Sequence, residues 1–233
     1  MPPVVLICVD GLDPEYLENC EAPNLQELGR KGFFTLGESM MPSVTNVNNM
    51  SIVTGVYPEV HGICSNYWFI KSTGQGYYTE SSDYLLTETM FLRAKKLGLK
   101  SLVVSSKDKL MPLLSPGVDE AFSAENPPGW AVELVGMPPA IYSLEVNGWI
   151  INAATAAMFR NEPDLVYITT TDYAMHLYPP QHRKAKEHIK ILDDALGQLI
   201  EAHSDATLLL TADHGMSEKN RIVDLKKCLS HFS

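Results

Sequence analysis

Three apolar runs in this chain each lead to an aspartate. VVLICV is followed by Asp10, DLVYITTT by Asp172 and TLLLTA by Asp213. Short, continuous apolar runs predict strands that are buried on both faces, as in a parallel sheet. A buried strand gains nothing from a charge at its tip, and a histidine accompanies two of the aspartates, His176 and His214. The pattern therefore predicts carboxylates and imidazoles that converge on one edge of a sheet.

The segments between these runs have helical periodicity, so the expected fold class is α/β. Helices are predicted over residues 22–32, 45–55, 83–98, 145–160 and 181–202. Strands that alternate with helices predict a mostly parallel sheet with helices on both faces. Ligands of such sheets bind beyond the carboxyl ends of the strands, which is where the three aspartates lie.

Two further segments complete the predicted architecture. FFTLGESM, residues 33–40, is expected to be another strand. Six prolines and little periodicity between residues 111 and 141 predict a small, irregular, cap-like segment over the sheet. We expect a single domain over residues 1–233.

The composition argues against some classes of partner. The net charge of −10 disfavours nucleic-acid binding, because no basic field offsets the repulsion from phosphates. No segment reaches the roughly 18 apolar residues of a membrane span, and MPPVVLICV lacks the basic region of a signal peptide. We therefore expect a cytoplasmic protein that binds neither nucleic acid nor membrane. An anionic ligand would need local positive charge, from lysines or metal ions.

Each of these candidate site residues also has an ordinary structural explanation. Asp10 could form a turn, Thr45 could cap a helix, and Asp172 with His176 could be an i, i+4 pair on a helix surface. Their recurrence at one place in the topology favours a shared role. Carboxylate oxygens and imidazole nitrogens are standard ligands of zinc and similar ions, and a bound cation removes the repulsion between clustered carboxylates.

The order of the motifs resembles the alkaline phosphatase superfamily. The stretches that carry the resemblance are VVLICVDGLDPEY, APNLQELGRKG, MPSVTNVNNMSIVTGVYPEVHGI, TTTDYAMH and TADHGM. HGICSNYWF and SSKDKL are most similar to the phosphonoacetate hydrolases, which are relatives of the nucleotide pyrophosphatases/phosphodiesterases. The resemblance covers nearly the whole chain and implies an alkaline phosphatase-like core.

The resemblance implies two divalent ions at the sheet edge, with zinc as the expected metal. The residues carried over are Asp10, Thr45, Asp213 and His214 for one ion, and Asp172 and His176 for the other. In the family a further histidine from far downstream completes the second site. The segment after Met216 does not resemble the family's continuation, and its sole histidine, His231, is interpreted as incidental.

Three expectations follow from the missing histidine and the short continuation. One metal site should lack its third protein ligand. The domain should be incomplete at its C-terminus. An exposed sheet edge should favour pairing with another chain, so a homodimer is a possible state.

The resemblance identifies Thr45 as the nucleophile. A threonine hydroxyl is a weak nucleophile, and coordination to a cation favours its alkoxide. Thr45 also begins a predicted helix, so the backbone N–H groups of Asn46 and its neighbours could face an incoming anion. Ser43 is the competing hydroxyl, but the family motif places the nucleophile at the threonine before an asparagine.

Asn66, Lys107 and Lys109 are predicted to contact substrate. Asn66 resembles the family's amide donor to a phosphoryl oxygen, although a turn-forming asparagine in CSNY explains it equally well. Loop lysines are usually solvated. A lysine pair after a predicted strand is nevertheless a rare positive patch in an acidic chain, and the resembling enzymes use lysines there to hold substrate. His61 is interpreted as a structural loop histidine.

The resemblance implies a zinc-dependent enzyme that hydrolyses the P–C bond of phosphonoacetate to acetate and phosphate. Two alternatives stay open. A phosphodiesterase or nucleotide pyrophosphatase of the same superfamily could use Tyr67 and Trp68 as an aromatic slot. A catalytically impaired short form could bind metal without turnover. Either kind of hydrolase would take a small anionic phosphonate or phosphate ester.

Overall fold

A computed structural model describes residues 2–217 and 221–230 of the chain. Their strands are β1 (Val4–Cys8), β2 (Tyr67–Ile70), β3 (Gln75–Tyr78), β4 (Ser101–Ser105), β5 (Glu120–Ser123), β6 (Leu165–Thr169) and β7 (Thr207–Thr211). Five of them form one sheet in the order β5-β4-β6-β1-β7, and every pairing in it is parallel. β2 and β3 form a separate antiparallel hairpin.

Helices connect these strands. They are α1 (Pro14–Asn19), α2 (Pro23–Lys31), α3 (Thr45–Thr54), α4 (Pro58–His61), α5 (Met90–Lys96), α6 (Met111–Leu114), α7 (Gly129–Val135), α8 (Val146–Asn161), α9 (Tyr173–Leu177), α10 (Arg183–Ala202) and α11 (Leu225–Leu229). None of the helices in the described part of the chain combines the length and the apolar character needed to cross a membrane.

Helices cover both faces of the sheet. Alternate residues of β1 accordingly face two different hydrophobic cores. Val5 and Ile7 belong to the core that includes the apolar faces of α8 and α10. Cys8 belongs to the other core, where it lies with Met50 of α3 and Leu113 of α6. The α/β prediction, with a mostly parallel sheet between two layers of helices, is confirmed.

Strand pairing brings the predicted site to one edge of this sheet. Cys8, at the end of β1, lies opposite Thr169 of β6 and Thr211 of β7. The three aspartates of the sequence pattern follow these paired residues by two or three positions. Their convergence is therefore a consequence of parallel register.

Residues 33–40 differ from the prediction. The segment has no regular secondary structure and no strand partner among the described residues, and its side chains are mostly exposed, with Phe33 83% accessible. A strand needs a neighbour for its backbone hydrogen bonds, and local apolar character does not supply one.

The segment 111–141 is more regular than expected. It contains α6, β5 and α7, and β5 pairs with β4 at the edge of the main sheet, so it is not a cap over the sheet. The prolines are compatible with this structure, because Pro112 lies in the first turn of α6 and Pro128 precedes α7. The assignment of residues 1–233 to a single domain stays a prediction.

The predicted helix over residues 83–98 is shorter in the structure. α5 begins at Met90, because Thr89 caps it: Oγ1 of Thr89 accepts the N–H of Leu92 at 3.3 Å.

A buried carboxylate joins α10 to the start of α2. Asp193 is fully buried, and its two oxygens accept the N–H groups of Asn24 at 3.1 Å and Leu25 at 2.8 Å. The residue before α2 is Ala22, which offers no capping side chain. Asp193 therefore performs the capping from another helix.

Asp193→Ala should lower the free energy of unfolding by about 1–3 kcal/mol, because it leaves buried N–H groups without acceptors. The adjacent Asp194 is exposed and pairs with Lys190, so Asp194→Ala should cost less than about 0.5 kcal/mol. Urea unfolding of the two variants measures the difference. Equal losses would show that the buried capping contact is unimportant.

Candidate metal and catalytic site

Asp10, Asp172 and His214 form a cluster at the carboxyl edge of the sheet. One ligand atom from each lies within 4.8 Å of the others. His214 Nε2 is 3.4 Å from Asp10 Oδ1 and 3.6 Å from Oδ2 of the neighbouring Asp213. Two carboxylates and an imidazole within this distance are a donor set that suits zinc or a similar divalent ion.

The backbone after β1 is shaped by this cluster. Gly11 has a φ of +76°, and a Cβ at this position would lie 2.9 Å from the Cβ of Asp172. Glycine is needed for both reasons. The N–H of Gly11 donates to Asp213 Oδ1 at 3.1 Å, and the N–H of Asp10 donates to Thr170 Oγ1 at 3.0 Å. The three strand ends are thus tied together by hydrogen bonds.

The electrostatics of the cluster call for a cation. Asp10 Oδ1 and Asp213 Oδ2 are buried and have no hydrogen-bond partner within the described residues. Burial, and then the charges of Asp213 and Asp172, raise the pKa of Asp10 well above its ordinary value. Burial also raises the pKa of Asp213. Unpartnered buried carboxylates are costly, and a bound cation would remove that cost.

The orientation of His214 points to the same conclusion. Its Nδ1 lies 3.0 Å from the backbone oxygen of Gly215, so Nδ1 carries the proton and donates it in this contact. In the neutral ring, Nε2 then presents a lone pair toward Asp10 and Asp213. Two carboxylates and a lone pair repel one another unless a proton or a metal ion lies among them, and this orientation leaves Nε2 free to be a metal ligand.

His176 extends the cluster toward solvent. Its Nε2 lies 2.8 Å from Asp172 Oδ2, and its side chain is 48% exposed. Asp172 therefore contacts His176 while its carboxylate also belongs to the cluster of Asp10 and His214. The two predicted metal sites adjoin at Asp172. His231 lies outside the described residues, so the missing third ligand of the second site stays a prediction.

Thr45 is the first residue of α3 and is half-buried. Its backbone oxygen accepts from Asn49 Nδ2 at 2.9 Å, and Asn49 Oδ1 accepts from the hydroxyl of Tyr167 in β6 at 2.7 Å. The first turn of α3 is thereby fixed to the sheet. The competing hydroxyl, Ser43, is exposed and pairs with Ser39 at 2.9 Å.

Asn66 lies beside the start of α3. Its Oδ1 accepts a hydrogen bond from the N–H of Asn46 at 3.2 Å. The sequence predicted that this N–H would be open to an incoming anion, and the structure shows that it is not. The same bond fixes the orientation of the Asn66 amide and leaves Nδ2 as the group able to donate to a ligand.

The two predicted lysines differ in position. Lys107 is half-buried after β4, and its charge acts to lower the pKa of Asp10, against the larger effect of burial. Lys107 Nζ also lies 5.7 Å from the ring centroid of Tyr142. Lys109 is exposed on the 3₁₀ turn Asp108–Leu110. Of the two lysines, Lys107 is therefore the one whose charge acts on the carboxylate cluster.

His61 has a structural environment. Its Nδ1 accepts the N–H of Ile63 at 3.1 Å, which leaves the proton on Nε2 to donate to Ser51 Oγ at 2.9 Å. Burial lowers the pKa of His61. Because Nε2 donates to Ser51, it cannot also accept the proton of that hydroxyl. His61 therefore does not activate Ser51 as a nucleophile.

Sequence reasoning missed several residues around the site, of which Tyr142 is exposed and the others are buried. These are Asn49, Tyr142, Asn147, Tyr167 and His188. The one signal available was a polar residue among apolar ones on a helix, such as Asn147 in VNGWIINAA.

Asp10→Asn tests the electrostatic argument. The pKa of Asp10 is higher in the folded protein than in the unfolded chain, so the folded protein tolerates the protonated carboxyl better than the charged one. Relative to high pH, the folded protein is therefore fully stabilised below the unfolded pKa, and this stabilisation is lost as the pH rises through the folded pKa. Without metal at pH 8, Asp10→Asn should therefore raise the free energy of unfolding by about 1–3 kcal/mol. It should also remove the stabilisation that zinc gives the wild type.

Urea unfolding at pH 5 and pH 8, with chelator and with zinc, measures both effects. Asp205→Asn, an exposed aspartate away from the cluster, is the control and should change neither. A metal-free Asp10→Asn variant that is less stable than the wild type at pH 8 would contradict the argument.

Comparison with known proteins gives a family and two groups of relatives. The model of the type I phosphodiesterase/nucleotide pyrophosphatase family matches residues 4–232. Ectonucleotide pyrophosphatase/phosphodiesterase family member 3 of Rattus norvegicus is 26% identical over an alignment that covers 93% of this chain and 25% of the relative. Bis(5'-adenosyl)-triphosphatase ENPP4 of Homo sapiens is 22% identical over an alignment that covers 99% of this chain and 51% of the relative. The chain thus spans a quarter to a half of these relatives.

Solved structures share the fold. The phosphonoacetate hydrolase of Sinorhizobium meliloti, in complex with phosphonoformate, has a TM-score of 0.90 and 32% identity, over 99% of this chain and 62% of that one. Murine ectonucleotide pyrophosphatase/phosphodiesterase 5, in complex with AMP, has a TM-score of 0.69 and 16% identity, over 97% of this chain and 61% of that one. At the lower identity the likeness concerns the fold alone.

Proposed function

Because the chain belongs to the type I phosphodiesterase/nucleotide pyrophosphatase family, we propose that it is a metal-dependent hydrolase that cleaves the P–C bond of phosphonoacetate. The observation that carries this proposal is Lys107, a half-buried lysine that follows β4 at the carboxyl edge of the sheet and whose charge acts on Asp10. Phosphonoacetate has a carboxylate in addition to its phosphonate, so it needs such a charge more than a phosphodiester does. The 32% identity with a phosphonoacetate hydrolase supports the same substrate class.

The residues that would hold the metal are those of the cluster. Asp10, Asp172 and His214 would bind one divalent ion, with Asp213 and Thr45 as the further ligands expected from the sequence. Asp172 and His176 would bind the second ion. When bound, zinc or a similar ion supplies positive charge that favours the threonine alkoxide and neutralises oxygens on phosphorus.

The chain's own residues bind and attack the substrate. Asn66 Nδ2 donates to a phosphoryl oxygen, and Lys107 holds the carboxylate, which orients phosphorus toward Thr45. Thr45 Oγ1 then forms a bond to phosphorus while the P–C bond breaks. The electron pair of that bond passes to carbon and is delocalised into the carboxylate as an enolate, which Lys107 stabilises.

Two proton transfers and one water complete the reaction. The proton that Thr45 loses as its Oγ1 bonds to phosphorus passes through solvent to the enolate carbon, and acetate leaves. A water molecule then cleaves the phosphoryl-threonine: its oxygen bonds to phosphorus, phosphate is released, and one of its protons restores the Thr45 hydroxyl.

A phosphodiesterase is the second candidate, and the hairpin β2–β3 favours it. Tyr67 and Tyr78 are exposed on this hairpin, in edge-to-face contact at 5.5 Å, and could stack on a base. Trp68 is less suited than expected, because it already stacks on Tyr84 at 4.7 Å. Cleavage of a P–O bond would leave Lys107 without a specific task.

Product analysis of the purified 233-residue chain with zinc separates the candidates. We expect acetate and phosphate in equal amounts from phosphonoacetate, and little cleavage of a nitrophenyl ester of thymidine monophosphate. The opposite preference would identify a phosphodiesterase. Zinc binding without turnover of either compound would identify the impaired form.

Lys107→Ala should lower kcat/KM for phosphonoacetate by roughly ten- to a hundred-fold, because it removes a charged contact worth about 1.5–3 kcal/mol. The loss for 4-nitrophenyl phosphate, which has no carboxylate, should be much smaller. Lys109→Ala should have the weaker effect of the two lysines, since Lys109 is exposed. Lys100→Ala, at the other end of β4, is the control. Equal losses on both substrates would assign Lys107 to the phosphoryl group or to the fold.

Thr45→Ala should abolish turnover, because no other hydroxyl occupies the first turn of α3, while zinc binding to Asp10, Asp172 and His214 is retained. Ser43→Ala should keep turnover near that of the wild type, since its hydroxyl pairs with Ser39. Steady-state rates and bound zinc are measured on the same samples. An inactive Ser43→Ala variant beside an active Thr45→Ala variant would move the nucleophile to Ser43.

A further inference from the structure

A buried asparagine behind the cluster holds the residue that precedes Asp172. Asn147 of α8 is fully buried. Its Oδ1 accepts the N–H of Thr171 at 3.0 Å, and its Nδ2 donates to the backbone oxygen of Thr171 at 2.9 Å. Both backbone groups of Thr171 are therefore bound by one side chain.

Thr171 needs these contacts because it has left the sheet. β6 ends at Thr169, while Thr171 remains 1% exposed. Its backbone N–H and C=O are beyond the strand ladder but still buried, so they require partners from elsewhere. Asn147 supplies both and thereby sets the backbone direction from which the Asp172 side chain departs.

His188 of α10 completes this network. Its Nδ1 lies 2.8 Å from the backbone oxygen of Leu144 and so carries the proton, which leaves Nε2 to accept from Asn147 Nδ2 at 3.3 Å. Both amide hydrogens of Asn147 are then used, one on Thr171 and one on His188. Burial lowers the pKa of His188, in agreement with a neutral ring.

The position of Asn147 is not explained by packing. It lies on a helix whose buried residues are mostly apolar, such as Val146, Ile150 and Ala154. A leucine, whose side chain has the same branching and number of heavy atoms, would bury more apolar surface there. An amide in such a place is retained when its hydrogen bonds matter.

We propose that Asn147, supported by His188, is a positioning residue that holds Asp172 in the metal cluster. The inference rests on the proposed metal site. Because the backbone before Asp172 is fixed in advance, binding of the ion does not have to order this loop. Partners of this kind, one step behind the ligands, contribute strongly to metal affinity.

The network also reaches the lysine side of the site. Leu144, which accepts from His188, is two residues after Tyr142. The Tyr142 ring contacts Lys107 and lies 5.5 Å from the ring of Tyr173, next to Asp172. Asn147 thus holds the segment that leads to Asp172, and His188 contacts the segment that follows Tyr142.

Competition with a chromophoric chelator measures the zinc affinity of the purified chain and its variants. Asn147→Leu should bind zinc roughly ten- to a hundred-fold more weakly than the wild type. His188→Phe keeps both contacts from Asn147 to Thr171 and should show a smaller loss. Asn161→Leu makes the same substitution at the other end of α8, where the amide contacts Glu120, and should leave zinc affinity unchanged even if it lowers the melting temperature.

The outcomes separate this inference from the metal site itself. Wild-type affinity in Asn147→Leu, with zinc bound by the wild type, would overturn the role of Asn147 alone. An equal loss in Asn161→Leu would mean that general destabilisation causes the effect, which would also overturn it. A wild-type chain that binds no zinc would remove the proposed site. If Asn147→Leu does not fold, Asn147→Asp, which keeps the acceptor for Thr171, should show an intermediate loss, and full affinity there would contradict the proposal.

Discussion

Repulsion between buried carboxylates is the constraint on which the sheet edge depends. Parallel pairing of β1 with β6 and β7 places Asp10, Asp172 and Asp213 together at the ends of their strands. Burial raises the pKa of Asp10 and of Asp213, and each keeps an oxygen without a hydrogen-bond partner in the described residues. A fold that only had to be stable would place apolar or neutral side chains there. The arrangement is understandable if a cation belongs to it.

The surrounding residues are arranged around this charge problem. Gly11 allows the chain to pass close to Asp172, and the Nδ1 contact of His214 directs Nε2 to the carboxylates. Lys107 adds the positive charge that is suited to a second anionic group on a substrate. Behind them, Asn147 holds the backbone of the Asp172 loop. Position, charge and support thus meet at one edge, where ligands of parallel sheets bind.

The strands and the ligand candidates could be predicted from the sequence, because apolar runs and the aspartates that follow them are local features. Residues 33–40 could not, since a strand depends on a partner that local sequence does not specify. β5 was not predicted, because the prolines that precede and follow it made the whole segment look irregular. Asn147 and His188 were missed because their importance comes from contacts across 24 and 44 residues. Lys107 and Lys109 looked equivalent in SSKDKL, and only the path of the loop distinguishes them.

The most direct test of the account is an anomalous difference map from crystals of the chain grown with zinc. We predict a peak bounded by Asp10, Asp172 and His214, at about 2.0–2.2 Å from their ligand atoms. Zinc elsewhere on the chain, with this cluster empty and its carboxylates protonated, would contradict the account, because burial alone would then explain the geometry at the edge of the sheet.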